Sequence, residues 1–413
     1  MTKKIIFILF IINSWFCAAI AQSNNLDFYI QQAISNSPLL KDYQNQVLSN
    51  GLDSLLIKAS YKPQVNFISN NVYYPVINGY GYDQAITNGG SYSALVGVSQ
   101  AIVGKNIVSA QLQSIQLLNE SLKNSVKITE QDLKRSITAQ YISAYGDITQ
   151  YNLNKELVDL LRKEELILKD LTEKGIYRQT DYLTFLVSVQ QQELVLKQVT
   201  IQYKNNIATL NYLCGITDTA AVYLIEPNIK VETLPSINNS LFFKQFKLDS
   251  LTLINKKLLV DIKYRPKISL FADGGYNSTL TQLPYKDFGT SLGFSFALPI
   301  YDGKQRKLNY SKVALADKTR TAYSDFFTRQ YQQRIKQLTQ QLNETNGLII
   351  QINMQLKYAE ALITANRKLL STGDARISDY LIATTSFLNL KNQLTINTIN
   401  RLQIINQINY WNR

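Results

Sequence analysis

Two segments of the sequence share a pattern that decides the fold: EKGIYRQTDYL at residues 173–183 and STGDARISDYL at residues 371–381. Each contains a glycine, four variable positions, a serine or threonine, and then Asp-Tyr-Leu. We expect Gly175 and Gly373 each to end a long helix in the left-handed conformation that glycine adopts without steric cost. The two segments therefore predict two similar helix ends.

The residues after each glycine predict the start of a second helix. Thr180 and Ser378 are expected N-cap residues, because their hydroxyls can accept a hydrogen bond from a free backbone N–H. Asp181 and Asp379 follow directly, and a carboxylate is favourable at the positive end of a helix. The pattern predicts the tip of a helical hairpin, present twice in the chain.

The flanking sequence is duplicated as well. Tyr-Lys-Pro at 61–63 and Tyr-Arg-Pro at 264–266 each precede a strand-like segment, a polar loop and a second strand-like segment. In the last of these, large apolar residues alternate with serine and glycine, which is the period of a strand with two unlike faces. We predict strands at 63–74, 91–103, 266–276 and 288–300.

Long helices follow each pair of strands. Residues 105–172 and 304–371 contain no proline and almost no glycine, and helices of this length would each extend about 100 Å. Such helices need coiled-coil packing along their length. The predicted return helices, 180–213 and 378–410, are half as long, and helices at 38–60 and 239–263 have the length to match the remainder.

These elements divide the chain into two structural repeats. We assign residues 22–225 to the first repeat and residues 226–413 to the second. An irregular equatorial belt is expected from residues 22–37, 214–238 and the C-terminus. Four residues are assigned to strand-to-helix turns: Pro63, Pro266, Pro299 and Gly303.

The N-terminus indicates export. Lys3 and Lys4 precede an apolar run and the small-residue site Ala19-Ile20-Ala21, which together predict a signal peptide at residues 1–21. Beyond it, Cys214 is the remaining cysteine, so no internal disulfide is expected, and we predict that this thiol is buried. No later segment has about 18 consecutive apolar residues, which leaves strands as the expected way of crossing a bilayer.

Composition argues against several function classes. The net charge of +13 is spread along the chain without a dense basic block, so nucleic acid is not an expected partner. The chain has no histidine and no recognisable nucleophile or phosphate-binding motif. We therefore predict a protein that is not an enzyme and that has neither a cofactor nor a metal site.

Four strands cannot close a barrel in a membrane, because known barrels of bacterial outer membranes have at least about eight. An open sheet in lipid would leave unpaired backbone groups at its edges. The sequence therefore predicts an oligomer, in which two copies would supply eight strands and three would supply twelve.

The chain resembles the TolC family of outer-membrane efflux and secretion channels over nearly all of the mature sequence. The resemblance is carried by both tips, and by LDFYIQQAISNSPLL at 26–40, ATLNYLCGI at 208–216 and ALPIYDGKQRKLNYSKVALADK at 297–318. It implies a mainly α fold with transmembrane β-structure. In this fold a homotrimer forms a twelve-stranded β-barrel in outer-membrane lipid, continuous with a twelve-helix α-barrel in the periplasm.

The resemblance also implies partners and a gate. A periplasmic adaptor would dock at the tips, around Gly175 and Gly373, and link the channel to an inner-membrane transporter of the RND, ABC or MFS type. Asp379 matches an aspartate ring at the entrance, and Thr180 and Asp181 match the tip that bonds the neighbouring hairpin.

The sequence departs from the family pattern at two gate positions. Ile382 stands where a second entrance aspartate is expected, and Ala375 stands where a gate arginine is expected. Arg376, one position further on, is a candidate replacement for that arginine. These two departures remove from the gate a carboxylate and a guanidinium that the family pattern places there.

The predicted function is passive conduction of exported solutes or proteins, with opening of the hairpins as the gating step. The transporter and the adaptor would choose the cargo, so the sequence defines neither the substrate nor the pump. The alternative is a periplasmic or surface coiled coil with a structural or adhesive role and no channel. That alternative explains the long helices but not the two matched pairs of alternating strands.

Overall fold

The computed structural model describes residues 25–218, 222–232, 240–281 and 283–411. The predicted signal peptide, 1–21, lies outside these residues. The described residues form two compact units: a helical unit from 25–40, 128–218, 222–232, 240 and 328–411, and a sheet unit from 41–127, 241–281 and 283–327. Each unit takes segments from both sequence repeats, so the compact units do not coincide with the repeats.

The described chain is mainly helical, and each predicted helix and strand lies within about three residues of its predicted range. Among the described residues, no helix combines the length and the apolar character needed to cross a membrane. The elements in chain order are α1 (Leu26–Asn36), α2 (Pro38–Ser60), β1 (Gln64–Tyr73), α3 (Gln84–Thr87), β2 (Gly90–Ile102), α4 (Lys105–Glu173), α5 (Gln179–Leu213), α6 (Leu241–Lys263), β3 (Lys267–Ser278), β4 (Phe288–Ala297), α7 (Gln305–Thr372) and α8 (Ile377–Trp411).

The four strands form one antiparallel sheet in the order β1-β2-β3-β4. The two hairpins, β1-β2 and β3-β4, are joined by pairing of β2 with β3 from Tyr92–Ser278 to Ile102–Ile268. Within the described residues, the outer edges of β1 and β4 have no strand partner. The sheet therefore has two unpaired edges, which usually invite pairing with another chain.

The register sorts the strand residues into two unlike faces, which we call the apolar face and the polar face. Side chains of the apolar face are solvent-exposed in the single chain; Leu292 is 88% exposed and Phe294 is 72% exposed. The apolar face includes Val65, Phe67, Val96, Val98, Ile268, Leu270, Leu292, Phe294 and Phe296. The polar face includes Asn66, Asn70, Ser93, Gly97, Ser99, Ser269, Asp273, Ser291 and Ser295, with Ile68, Val72, Leu95 and Phe271 as larger apolar members.

Two of the four predicted turn residues lie in turns of the opposite direction. Pro63 and Pro266 stand directly before β1 and β3, so they mark helix-to-strand turns rather than strand-to-helix turns. Proline suits this place because it has no N–H to donate to the ladder and disfavours a preceding helix. Pro299 and Gly303 do lie between β4 and α7, as expected.

The turn into α7 shows why glycine is needed there. Gly303 has a φ of +60°, in the left-handed region. The Asp302 carboxylate accepts hydrogen bonds from the backbone N–H of Lys304 at 2.9 Å and of Arg306 at 2.7 Å. The bond from Arg306 is the largest of the effects that lower the pKa of Asp302. Asp302 thus caps the first turn of α7.

The belt region of the helical unit has a compact core. It contains Tyr29 of α1, Tyr141 of α4, Leu210 of α5 and, from the segment after α5, Cys214 and Leu224, all at most 2% exposed. The Tyr141 hydroxyl donates to the carbonyl of Ile225 at 2.7 Å. Segments 214–218 and 222–232 contain neither helix nor strand and are held in this way against the helices.

One part of the predicted irregular belt is helical. Within 22–37, residues Leu26–Asn36 form α1, and its N-cap Asn25 accepts a hydrogen bond from the backbone N–H of Phe28 at 3.0 Å. The helix forms because Tyr29, Ile30 and Ala33 recur at helical spacing and bury one face in the belt core. Residues 22–24, 219–221, 233–239 and 412–413 of the predicted belt lie outside the described residues.

Candidate functional site: the two hairpin tips

Each helical hairpin ends in a tip of closely similar backbone. The first tip is residues 174–178 and the second tip is residues 373–376, both in the helical unit. Gly175 has a φ of +78° and Gly373 a φ of +83°, so both adopt the predicted left-handed conformation.

Hydrogen bonds complete this helix end in the same way twice. In the first tip, the backbone N–H of Ile176 donates to the carbonyl of Leu171 at 3.0 Å, and the N–H of Gly175 donates to the carbonyl of Thr172 at 2.9 Å. The second tip repeats the pair, from Asp374 and Gly373 to the carbonyls of Leu369 and Leu370. These are the two bonds of the Schellman motif, which satisfies carbonyls that a helix end would otherwise leave free.

The predicted N-caps are wrong by about two residues. Helix α5 begins at Gln179 with Arg178 as its N-cap, and α8 begins at Ile377, so Thr180 and Ser378 lie inside the first turns. The helices start early because the carbonyl of Arg178 already accepts from the N–H of Asp181 at 3.0 Å. Asp181 and Asp379 remain in the first turns, where the helix dipole favours a carboxylate.

The two tips of one chain are in contact through Tyr177. Its hydroxyl lies 2.9 Å from the carbonyl oxygen of Ala375 and 3.2 Å from that of Leu370. Ile176 packs so closely on Gly373 that a Cβ added there would lie 2.7 Å from its Cγ2 atom. Tyr177 and Ala375 occupy equivalent positions in the repeated motif, so the tips meet at matching points.

The phenol of Tyr177 is held in its neutral form at this contact. Burial raises the pKa of Tyr177, and the nearby carboxylates of Asp374 and Asp181 raise it further by disfavouring a phenolate. Tyr177 is therefore an O–H donor at neutral pH, which is the form that the two carbonyl acceptors require.

A second core of the helical unit lies beside the tips. It is built from α4, α5, α7 and α8, and the rings of Phe185 and Tyr380 stack within it at a centroid distance of 6.3 Å. The buried members are Leu157, Leu161, Leu168, Phe185, Val189, Leu370, Ile377 and Tyr380. Because Leu370 and Ile377 flank the second tip, packing of this core positions that tip.

An ion pair between a buried glutamate and a half-exposed arginine joins α4 to α7 near this core. Arg367 Nε donates to Glu164 Oε1 at 2.6 Å, and the Glu164 side chain is 2% exposed. Burial raises the pKa of Tyr380 to about 12, and the Glu164 carboxylate contributes to the increase. Since a buried carboxylate is costly without a partner, Arg367 is required where Glu164 stands.

The tips enclose a cleft of about 620 Å³ with mixed charge. Four of the predicted site residues line it: Asp181, Gly373, Arg376 and Ser378. Gly175, Thr180 and Asp379 do not, and Asp379 is exposed at the start of α8. Within the described residues, no group of three or more His, Cys, Asp or Glu side chains is placed to hold a metal ion. The cleft offers charged and hydroxyl groups for polar contacts.

Sequence reasoning missed three contributors to the tips. Arg178 lines the cleft at the position equivalent to Arg376, and the repeated arginine was a signal present in the sequence. Tyr177 and the pair Glu164–Arg367 carried no such signal, because their partners come from the other repeat. Ala375 is 9% exposed and its carbonyl is bonded, so the space at this position suits a small side chain.

The architecture matches a known fold. Two β-hairpins joined in one sheet, each leading into a long helix, a glycine tip and a return helix, form the fold of TolC-type outer-membrane channels. The fold predicted from the sequence is therefore confirmed at this level. No protein-family model matches the sequence, and no curated protein sequence matches it significantly.

Solved structures with this fold come from several bacteria. The outer membrane protein VceC from Vibrio cholerae is similar with a TM-score of 0.75 and 13% identity, covering 94% of this chain and 96% of its own. The CmeC outer membrane channel of Campylobacter jejuni is similar with a TM-score of 0.73 and 13% identity, and the match covers 94% of this chain and 85% of CmeC. The MtrE outer membrane channel of Neisseria gonorrhoeae, in its open state, is similar with a TM-score of 0.74 and 11% identity, and the match covers 94% of this chain and 88% of MtrE. At these identities the likeness establishes the fold.

Proposed function

We propose that this protein is the outer-membrane channel of an efflux or secretion system. Three copies would join their sheets into a twelve-stranded barrel in the outer membrane, and their long helices would form a twelve-helix barrel in the periplasm. Solutes would pass through the channel without covalent change. The helical tips would dock a periplasmic adaptor, which in turn connects to an inner-membrane transporter of the RND, ABC or MFS type.

The sheet is the observation that carries this proposal. It exposes an apolar face, with Leu292 88% exposed, and its two outer edges are unpaired in the described chain. In water both features are unfavourable. In a membrane, pairing between chains in a closed barrel would cover the edges, and lipid would contact the apolar face. The outer-membrane channels with the same fold support this location.

The tips support a gate at the periplasmic end. Their contact within one chain rests on few polar interactions, mainly Tyr177 to Ala375 and Leu370, and on packing of Ile176 against Gly373. Contacts of this kind can be exchanged for contacts with an adaptor at small net cost. Opening of the hairpins would then depend on the partner, while the adaptor and the transporter supply direction and energy.

The proposal is tested by conductance. Mature protein purified from outer membranes is inserted into planar bilayers, and we expect discrete conductance steps from single channels. Protein that stays soluble, or that binds membranes without conducting, would contradict a channel and favour a coiled-coil structural protein. The same purification from cells that lack this protein controls for contaminating porins.

Asp379 is the proposed selectivity residue of the tips. Three exposed copies around a narrow entrance would attract cations, so Asp379→Asn should lower the permeability of K⁺ relative to Cl⁻. Reversal potentials across a KCl gradient measure this ratio. Unchanged selectivity in Asp379→Asn would remove Asp379 from the conducting path. Asp317→Asn, which changes an exposed carboxylate paired with Arg320 on α7 and far from the tips in sequence, is a control of equal charge.

A further inference from the structure

The four strands contain only two charged residues, and both lie in β3. Their charged residues are Lys267, the first residue of β3, and Asp273, in the interior of the same strand. Strands β1, β2 and β4 contain none. Asp273 is thus the single carboxylate within the sheet.

The register places Asp273 in a row of small and polar residues. Asn66 pairs with Gly97, Gly97 pairs with Asp273, and Asp273 pairs with Ser291, so the row crosses all four strands on the polar face. A Cβ added to Gly97 would lie 3.8 Å from the Asp273 Cβ atom, so glycine leaves the space beside the carboxylate open. The neighbours of Asp273 therefore leave it partly exposed and bring no countercharge.

The charge of Asp273 is uncompensated in the sheet. Within the described part of the chain, its carboxylate has no hydrogen-bond or salt-bridge partner. Lys267 lies on the same face but six residues along the strand, which is about 20 Å away. At that distance salt screens the attraction almost completely.

Between Lys267 and Asp273, the polar face carries an aromatic ring and a pair of hydrogen-bonded hydroxyls. Phe271 lies two residues from Asp273, and its ring occupies the space above Gly293, where an added Cβ would lie 2.6 Å from its Cζ atom. In the next row, the Ser269 and Ser295 hydroxyls are hydrogen-bonded at 2.6 Å. The ring and the paired hydroxyls lie along the sheet, so the Asp273 carboxylate stands beside an ordered, largely uncharged surface.

Only one of the two faces can accept such a group in a membrane. A carboxylate on the apolar face would meet hydrocarbon, which is costly without a partner. On the polar face it meets the water of the lumen once the sheet is closed by other copies. The polar face therefore lines the proposed channel, and Asp273 projects from the lining.

We infer that Asp273 forms a second charged ring, in the sheet, that selects for cationic solutes and against anionic solutes independently of the tips. This inference rests on the proposed function, since three copies around one lumen make the ring. It assigns a specificity-determining residue to the sheet unit, separate from Asp379 of the helical unit.

The size of the effect follows from elementary electrostatics. Three unit charges about 10 Å from the axis, screened over a Debye length of about 10 Å at 0.1 M salt, enrich a monovalent cation about twofold and deplete an anion about twofold. Asp273→Asn should therefore lower the K⁺/Cl⁻ permeability ratio by about two- to fivefold. The reduction should increase in 0.01 M salt and nearly vanish in 1 M salt, where the screening length is about 3 Å.

Moving the carboxylate along its row provides a matched control. Asp273→Asn combined with Ser291→Asp keeps one carboxylate per chain on the same face and row, so cation selectivity should be restored. Asp273→Glu should retain selectivity as well. If conducting Asp273→Asn channels keep the selectivity of the parent channel at low salt, the inference is wrong although the channel proposal stands.

Charge can also be changed after assembly, which removes any effect on folding. Asp273→Cys channels are treated in the bilayer with a methanethiosulfonate reagent carrying either a sulfonate or a trimethylammonium group. The sulfonate should restore cation selectivity and the ammonium should reverse it, while the parent channel should not respond, because Cys214 is buried. Equal responses to both reagents would contradict the ring, and a parent protein that never conducts would contradict the channel proposal itself.

Discussion

Tyr177 joins the two hairpins of one chain through hydrogen bonds to backbone carbonyls of the second tip. The acceptors, Ala375 and Leu370, keep their carbonyls whatever their side chains, so the contact depends on the single phenol. Ile176 adds an apolar contact to Gly373 beside it. The contact between the two tips of one chain thus depends on one hydroxyl group and one apolar side chain.

Replacing Tyr177 by Phe should loosen the second tip. The lost hydrogen bond, which the one O–H shares between two carbonyls, is worth about 0.5–1.5 kcal/mol, so amide hydrogen exchange at residues 373–375 should become up to about tenfold faster. Exchange read by mass spectrometry measures this. Tyr182→Phe is the matched control, because Tyr182 packs on the same core and its hydroxyl has no described hydrogen bond. Equal exchange in both variants would show that the hydroxyl does not hold the tip.

The pH dependence of this contact has a defined sign. The pKa of Tyr177 is raised from its usual value of 10, so the contact contributes fully below pH 10 and is lost as the pH rises through the higher folded-state value. Exchange at the second tip should therefore accelerate above pH 10 in the parent protein. The Tyr177→Phe variant should lack this particular acceleration.

Cys214 is a buried thiol in the belt core, as the sequence predicted. Burial raises its pKa from the usual value of 9 to about 12, which lowers the thiolate fraction at pH 8 by about a thousandfold. The folded protein should resist maleimide at pH 8 and should react fully in guanidinium chloride. Rapid labelling of the folded protein would contradict the described belt core.

At the scale of elements, the two tips form a natural comparison. Gly175 and Gly373 have nearly the same φ, but a Cβ at Gly175 would meet nothing within 4 Å, whereas one at Gly373 would meet Ile176. Alanine at Gly175 therefore tests backbone strain alone, whereas alanine at Gly373 tests backbone strain together with a steric clash.

Alanine at Gly373 should destabilise the protein more than alanine at Gly175. The left-handed backbone costs about 1 kcal/mol at either site, and the clash adds about 1–3 kcal/mol at Gly373. Thermal unfolding of the purified variants measures the difference. Adding Ile176→Ala to the Gly373→Ala variant should recover the steric part only. Equal losses at the two glycines would contradict the packing of the tips.

The elements were predictable because their signals are local. Helix lengths followed from the absence of proline, and the strands from their alternation. Helix α1 was missed although Leu26, Tyr29, Ile30 and Ala33 show helical spacing, because the belt was assumed to be irregular. The N-caps were misplaced because the first hydrogen bond of α5 runs from the Asp181 N–H to the Arg178 carbonyl, and no side-chain pattern reveals this acceptor.

The contacts of the tips were not predictable from the same signals. Tyr177 and Ala375 are nearly two hundred residues apart in sequence, and so are Glu164 and Arg367. The duplication shows that two similar hairpins exist but not which side chain of one reaches the other. Those partners are fixed by packing of the second core of the helical unit, which depends on the whole set of helices.

At the scale of the whole molecule, the sheet unit is incomplete as a single chain. Its apolar face is exposed and its outer edges, β1 and β4, are unpaired among the described residues. Further copies of the chain can supply both missing partners, because β4 of one copy can pair with β1 of the next. In the proposed trimer, cyclic repetition of that contact would close a barrel without free edges.

The number of chains in the assembly tests this account most directly. Mature protein is extracted from outer membranes in mild detergent and its mass is measured by native mass spectrometry. We predict a mass of three chains, which supplies twelve strands and a lumen lined by the polar face. A protein that is strictly monomeric, or that is found only in the soluble fraction, would leave the sheet edges open and would contradict the channel.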